Sequence, residues 1–140
     1  MELPGKPKTQ KLPITDANRK LLKLQESSSS LGPGFFVLVT YADYQPGKRP
    51  DLETALKGMA TSLGDASGGK GKPQVQRLKV SGRNAALETI SYVSNGQRQG
   101  LKQLIVMDGT RFWQVAVAFP PNKPSSVAAA DRVIRSVKIQ

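Results

Sequence analysis

The chain has 140 residues, of which 21 are Lys or Arg and 10 are Asp or Glu, so its formal net charge is +11 at pH 7. It contains no Cys and no His, which excludes disulfides, thiolate nucleophiles and the usual zinc sites, and removes the commonest general acid/base. No apolar run approaches the roughly 18 residues that a membrane-spanning helix needs. The length predicts a single domain over residues 1–140.

The N-terminal segment, residues 1–14, is rich in Pro and Lys and is predicted to be extended and basic. It has no apolar h-region and is therefore not a signal peptide, so we expect either a cytoplasmic protein or a start that follows a removed leader. A turn is predicted at 16–18. Residues 19–26 are then predicted to form a strand that pairs back on the first segment, and the Ser-rich stretch 27–34 is predicted to be a loop.

The middle of the chain predicts a strand followed by a helix and a linker. Residues 34–44 alternate between two apolar faces, as a strand does. Apolar residues at helical spacing predict a helix over 51–63, with Asp51 as its N-cap and Gly64 as its C-cap. Residues 64–74 are rich in Gly and Lys but lack the spacing of a phosphate-binding loop, so they are predicted to be a flexible linker.

The last half of the chain predicts a four-stranded meander and a closing helix. The strands are expected at 75–80, 84–93, 101–107 and 111–119, with turn-forming residues between them. A helix over 125–137 follows, capped by one of the two serines at its start. The residues expected on its inward face are Val127, Ala130, Ile134 and Val137.

The strands at 101–107 and 111–119 carry apolar residues on both faces, whereas a strand with one solvated face alternates apolar and polar residues. The two helices can cover one face each, and the small side chains of Ala116 and Ala118 would let a helix approach closely. The pattern therefore predicts an α+β fold, a three-layer α/β/α sandwich with one antiparallel sheet of six to seven strands. The alternative is helix cover on one face only, with the other face buried in a partner.

The composition argues against an enzyme. A serine nucleophile needs a base, and without His only Lys or a carboxylate can serve. Lys79 and Ser81 are close in sequence but lack an orienting third group. We therefore expect no catalytic residue, no metal ligand and no cofactor.

One basic stretch is the candidate binding surface, because no acidic residue lies between Asp65 and Glu88. Such a stretch favours an anionic partner, and we expect a protein, in particular an acidic one. Arg77 and Lys79 are expected to project from the same side of their strand. The candidate residues are Lys70, Lys72, Arg77, Lys79 and Arg83.

Two alternatives remain open for this surface. It can bind nucleic acid or another anionic surface, although aromatic stacking partners are scarce near it, because Phe112 and Trp113 are expected in the core. It can also be a solvated basic surface without a dedicated ligand.

The order of elements resembles the PsbP-like superfamily, which includes DcrB-like bacterial lipoproteins and the Ran-binding nuclear import factor of yeast. The stretches that carry the resemblance are LPGKP, FFVLVTYADY, LETALKGMATSL, VSGRNAALETISY and DGTRFWQVAVAFP with AAADRVIRSVKI. The resemblance implies a non-enzymatic partner-binding or assembly role in an exported or membrane-associated protein. It carries no catalytic residue over, because the family has no shared active site.

Overall fold

The fold is taken from a computed structural model that describes residues 8–11, 21–32, 34–66, 73–94 and 96–138. The described part contains seven strands in a single sheet and two helices. In chain order they are β1 (Lys8–Lys11), β2 (Leu21–Gly32), β3 (Phe35–Tyr44), α1 (Leu52–Ala66), β4 (Gln74–Val80), β5 (Arg83–Ser94), β6 (Gln97–Asp108), β7 (Arg111–Phe119) and α2 (Pro124–Arg135). The strands lie in the order β1-β2-β3-β7-β6-β5-β4, and every neighbouring pair is antiparallel.

The two helices cover opposite faces of the sheet, as the apolar pattern of the central strands predicts. Successive residues of β6 show this directly, because neighbouring side chains point to opposite faces. Leu104 and Val106 belong to the core that α2 closes with Ala130, whereas Ile105 belongs to the core that α1 closes with Leu56. The three-layer α/β/α arrangement is therefore confirmed.

In the described part of the chain, no helix packs closely on Ala116 and Ala118, the small residues of β7. Helix α1 packs mainly on β5 and reaches β7 through Phe112, whereas Ala116 and Ala118, further along the same face, stay half-buried. Phe36, directly opposite Ala118, is 46% exposed. Close helix approach occurs instead on the other face, where the small residues Ala129 and Ala130 belong to α2 itself. The prediction that Ala116 and Ala118 receive a helix is wrong.

The Ser-rich stretch is a strand and not the predicted loop. β2 continues to Gly32, and its register pairs Ser27 with Thr9 on one side and with Val39 on the other. Ser29 is buried opposite Val37. β3 pairs with all four serines and β1 with Ser27 and Ser28, so side chains of low strand propensity are tolerated there. The prediction that residues 19–26 pair back on the N-terminal segment is confirmed for Gln25 and Glu26, which pair with Lys11 and Gln10, whereas residues 19 and 20 lie outside the described residues.

The helix ends differ in how well the sequence predicted them. Asp51 is the N-cap of α1, since its Oδ1 accepts a hydrogen bond of 2.7 Å from the backbone N–H of Thr54. That bond lowers the pKa of the Asp51 carboxyl. Helix α1 continues through Gly64, so the predicted C-cap is wrong. The N-cap of α2 is Lys123, without a side-chain hydrogen bond, because Pro124 already has a φ suited to the first turn.

Candidate binding surface

The hairpin of β4 and β5 positions the candidate basic residues. Its two-residue turn, Ser81-Gly82, has positive φ at both positions, 52° and 79°, which is the backbone of a type I′ turn. The turn sets the register in which Val80 lies opposite Arg83. Because β4 is the last strand in the sheet order, the side chains of this hairpin lie along an edge of the described sheet.

Arg77 and Lys79 project from the same side of β4, as predicted, and both are exposed. Arg77 forms a forked interaction with Glu53 of α1, with Nη2 2.7 Å from Oε1 and 2.8 Å from Oε2. Both side chains of this ion pair are more than half exposed, so solvent screens it and its contribution to stability is small. Lys79 donates a hydrogen bond to the amide oxygen of Asn84. Both cations therefore remain accessible to a partner.

Arg83 points to the other face of the sheet and is held in an ion-pair network. Its Nε lies 2.9 Å from Oδ2 of Asp108, and the same oxygen accepts a 2.6 Å hydrogen bond from Arg111. The hydrogen bond from Arg83, together with that from Arg111, lowers the pKa of Asp108. The Arg83 side chain is only 22% exposed. Its main role is therefore to tie the β4–β5 turn to β6.

Lys70 and Lys72, the remaining candidates, lie outside the described residues. The structure adds a cation that the sequence analysis missed, Arg49, in the loop before α1. This side chain borders a depression of about 460 Å³ together with Lys79 and Arg83. Its Nε is buried and has no hydrogen-bond partner within the described ranges. Arg49 lies 28 residues before Arg77 in sequence, and it joins Lys79 and Arg83 only because the loop before α1 meets the β4–β5 turn at one end of the sheet.

Three acidic residues near these cations differ in burial and in hydrogen bonding. Asp51 and Asp108 also border the depression, but each already accepts the hydrogen bonds described above. Glu88 lies directly opposite Val75 and is fully buried, with both oxygens lacking a partner in the described part of the chain. Burial raises the pKa of the Glu88 carboxyl. Glu88 is therefore enclosed within the sheet, whereas Asp51 and Asp108 lie at the border of the surface and are already hydrogen-bonded.

A second cationic group lies on the α2 side of the sheet. The rings of Tyr41 and Trp113 are 5.5 Å apart, with the Arg111 guanidinium 5.0 Å from the Trp113 centroid. Lys23 lies 5.7 Å from the Tyr41 centroid. Both rings are half-buried, and Trp113, which the sequence analysis expects in the core, packs against the core beneath α2. The rings and cations together form a small amphipathic strip.

Within the described ranges, no group of three or more acidic side chains is placed to hold a metal ion. The helices of the described part are too short or too polar to cross a membrane.

Comparison with known proteins places the fold and not the activity. No protein-family model matches the chain, and no protein of curated function matches it significantly. The chain is similar in fold to solved structures, among them the following two. PA94 from Pseudomonas aeruginosa, a protein of unknown function, is 14% identical with a TM-score of 0.53, over 97% of this chain and 84% of that one. LpqN, involved in cell envelope biogenesis of Mycobacterium tuberculosis, is 16% identical with a TM-score of 0.55, over 91% of this chain and 80% of that one. The likeness is one of fold.

Proposed function

We propose that this chain is a non-enzymatic partner-binding or assembly domain that holds an acidic protein through the β4 basic surface, defined as the exposed Arg77 and Lys79 with Arg49 and Arg83 at its border. The observation that supports the proposal is the placement of Arg77 and Lys79, which stand exposed side by side on the last strand of the sheet. Exposed cations around a net charge of +11 accelerate the encounter with an acidic partner and orient it.

The proposal includes kinship with the PsbP-like superfamily and an exported or membrane-associated location. The order of strands and helices supports the kinship, and the fold likeness to LpqN, a protein of cell envelope biogenesis, is in keeping with the location. Because fold alone does not determine function, the proposed binding role depends on the exposed cations of the β4 basic surface.

The test compares two double charge reversals in the full chain. Arg77→Glu with Lys79→Glu changes the β4 basic surface, and Arg98→Glu with Lys123→Glu makes the same change of charge at the opposite end of the sheet, where both residues are exposed. Arg83 is left intact, because a carboxylate there would face Asp108 and weaken the fold. Each variant is titrated, by fluorescence anisotropy, with the acidic partner recovered by chemical cross-linking from the native cell.

The β4 reversal is expected to weaken binding by about tenfold or more at low salt, since two exposed charge contacts become repulsive. The control reversal should change the affinity by about twofold, through net charge alone. Equal losses in the two variants, with unchanged thermal unfolding, would reduce the β4 basic surface to nonspecific charge and contradict the proposal.

A nucleic-acid-binding function is the second candidate, and the half-buried Tyr41–Trp113 pair with its two cations supports it. Single-strand binders combine stacked aromatic rings with a basic surface. A labelled poly-dT oligonucleotide and its RNA counterpart test the idea over a range of salt concentrations. Binding whose affinity falls linearly in log salt and is lost in Trp113→Ala would favour this function. No binding at low salt would eliminate it.

A further inference from the structure

The outer edge of β4 carries main-chain groups whose direction follows from the turn at Ser81-Gly82. In a two-residue hairpin the residues that flank the turn, Val80 and Arg83, form a hydrogen-bonded pair, and such pairs alternate along an antiparallel ladder. The intervening residues therefore direct their N–H and C=O groups away from β5. The residues with outward main-chain groups are Val75, Arg77 and Lys79.

These outward groups meet no other strand in the described part of the sheet, because β4 pairs with β5 alone. The strand has no proline between Gln74 and Val80 and no irregularity in its register, so its edge is regular over seven residues. An edge of this kind is a template for the addition of another strand.

We propose that β4 accepts an extended acidic segment of a partner protein as an additional strand of the sheet. The inference rests on the proposed function above and specifies its geometry: main-chain hydrogen bonds along the edge, with acidic side chains opposite the cations. The outward main-chain groups and the cationic side chains belong to the same residues, so a single extended segment can engage both.

The side chains on the α1 side of β4 define the sequence that such a segment needs. Val75 is 45% exposed, and it is followed at two-residue spacing by Arg77 and Lys79. Directly opposite residues of neighbouring strands share a face, so the added strand should place one apolar and two acidic side chains at alternate positions. In the free protein the carboxylate of Glu53 pairs with Arg77. Because this ion pair is exposed and weak, a carboxylate of the partner can replace Glu53 at little cost.

A second copy of this chain is a poorer occupant of the edge than an acidic segment. Pairing of two β4 strands brings cations of one copy next to cations of the other, and like charges on facing strands are destabilising. Positively charged edge residues are a common means by which proteins avoid pairing with themselves. The same charges attract an acidic strand, so the edge discriminates between the two occupants.

The experiment uses two fluorescein-labelled peptides of identical composition with the full chain. One alternates Glu and Thr over eight residues, and the other has four Glu followed by four Thr. Both peptides can pair their main chain with the edge, but only the alternating one then presents all four Glu side chains on one face of the strand, so it is expected to bind about fivefold tighter. Methylation of one alternate set of its amides should abolish that advantage, and methylation of the other set should not.

A protein variant tests the edge itself. Val75→Pro removes an outward N–H and leaves the ladder with β5 intact, so it should weaken the alternating peptide about three- to tenfold, the value of a main-chain hydrogen bond, while Val75→Ala changes binding by less than twofold. Circular dichroism confirms the fold of both variants. Should Val75→Pro unfold, the methylated peptides give the answer alone.

The outcomes separate this inference from the proposed function. Equal binding of both peptides, lost in Arg77→Glu with Lys79→Glu, would leave the basic surface in place and overturn strand addition. Binding of the alternating peptide alone, unaffected by that double reversal, would support strand addition and contradict the role of the charges. Equal effects of the two methylation patterns, or no binding of either peptide, would overturn the inference.

Discussion

Any side chain at position 100 is expected to destabilise the fold, because the ring of Phe119 occupies the space that a Cβ there would need. The two residues are directly opposite each other on β6 and β7. A Cβ at position 100 would lie 2.7 Å from Cζ and 2.8 Å from Cε2 of that ring, so the ring must move by about 0.7 Å to restore ordinary van der Waals contact. Phe119 is 4% exposed and is enclosed by the core beneath α2, which leaves little room for this movement.

The net effect of Gly100→Ala follows from two opposing terms. Overpacking of a closed core costs about 1–3 kcal/mol, and the loss of glycine freedom in the unfolded chain returns about 0.4–1 kcal/mol. The difference of the two terms is about 0–2.6 kcal/mol, and because Phe119 is enclosed we expect the upper half of that range, a destabilisation of about 1.3–2.6 kcal/mol, measured as a lower midpoint of urea unfolding at an unchanged slope.

Gly58→Ala is the matched control, since a Cβ there meets nothing within 4 Å in the middle of α1. It should stabilise the protein by up to about 1 kcal/mol, because alanine is the better helix former. A Gly100→Ala protein as stable as the wild type would show that the core beneath α2 is looser than described. In that case the ring of Phe119 can move aside without loss of stability.

Two further changes test the buried acid and the helix cap. Because burial raises the pKa of Glu88, the folded state keeps a proton that the unfolded chain releases above about pH 4.5, so this residue should lower stability progressively as pH rises from there. Urea unfolding of Glu88→Gln between pH 4 and 8 should show a weaker decline, and parallel curves would contradict the burial. Asp51→Ala removes the hydrogen bond to Thr54 and should lower the thermal midpoint by a few degrees, whereas Lys123→Ala, at an N-cap without such a bond, should not. Equal shifts would show that the Asp51 cap does not stabilise α1.

The features that the sequence predicted are those with a local or periodic cause. Apolar residues on both faces of β6 and β7 required cover on both sides, and the two helices supply it. The cap at Asp51 needs only the next three residues, and the common side of Arg77 and Lys79 needs only the two-residue period of a strand. Each of these features is encoded within a few residues, so a single sequence is sufficient to predict it.

The features that the sequence missed depend on distant contacts. The serines of β2 form a strand because β1 and β3 pair with them, which nothing in the serine run itself indicates. Arg49 joins the β4 basic surface only because the loop before α1 meets the β4–β5 turn. The ion pair of Arg83 with Asp108 spans 25 residues, so its partly structural role is visible only in the fold.

The most direct test of the central claim, that the chain binds its partner through the β4 edge, is site-specific photo-cross-linking in the cells that naturally produce it. A benzophenone amino acid replaces Gln76, exposed on β4, or Asn122, exposed at the opposite end of the sheet. Neither substitution removes a proposed contact. We expect a discrete adduct from position 76 that disappears with Arg77→Glu and Lys79→Glu, and no adduct from position 122. An adduct from position 122 alone, or none from either position, would contradict the central claim.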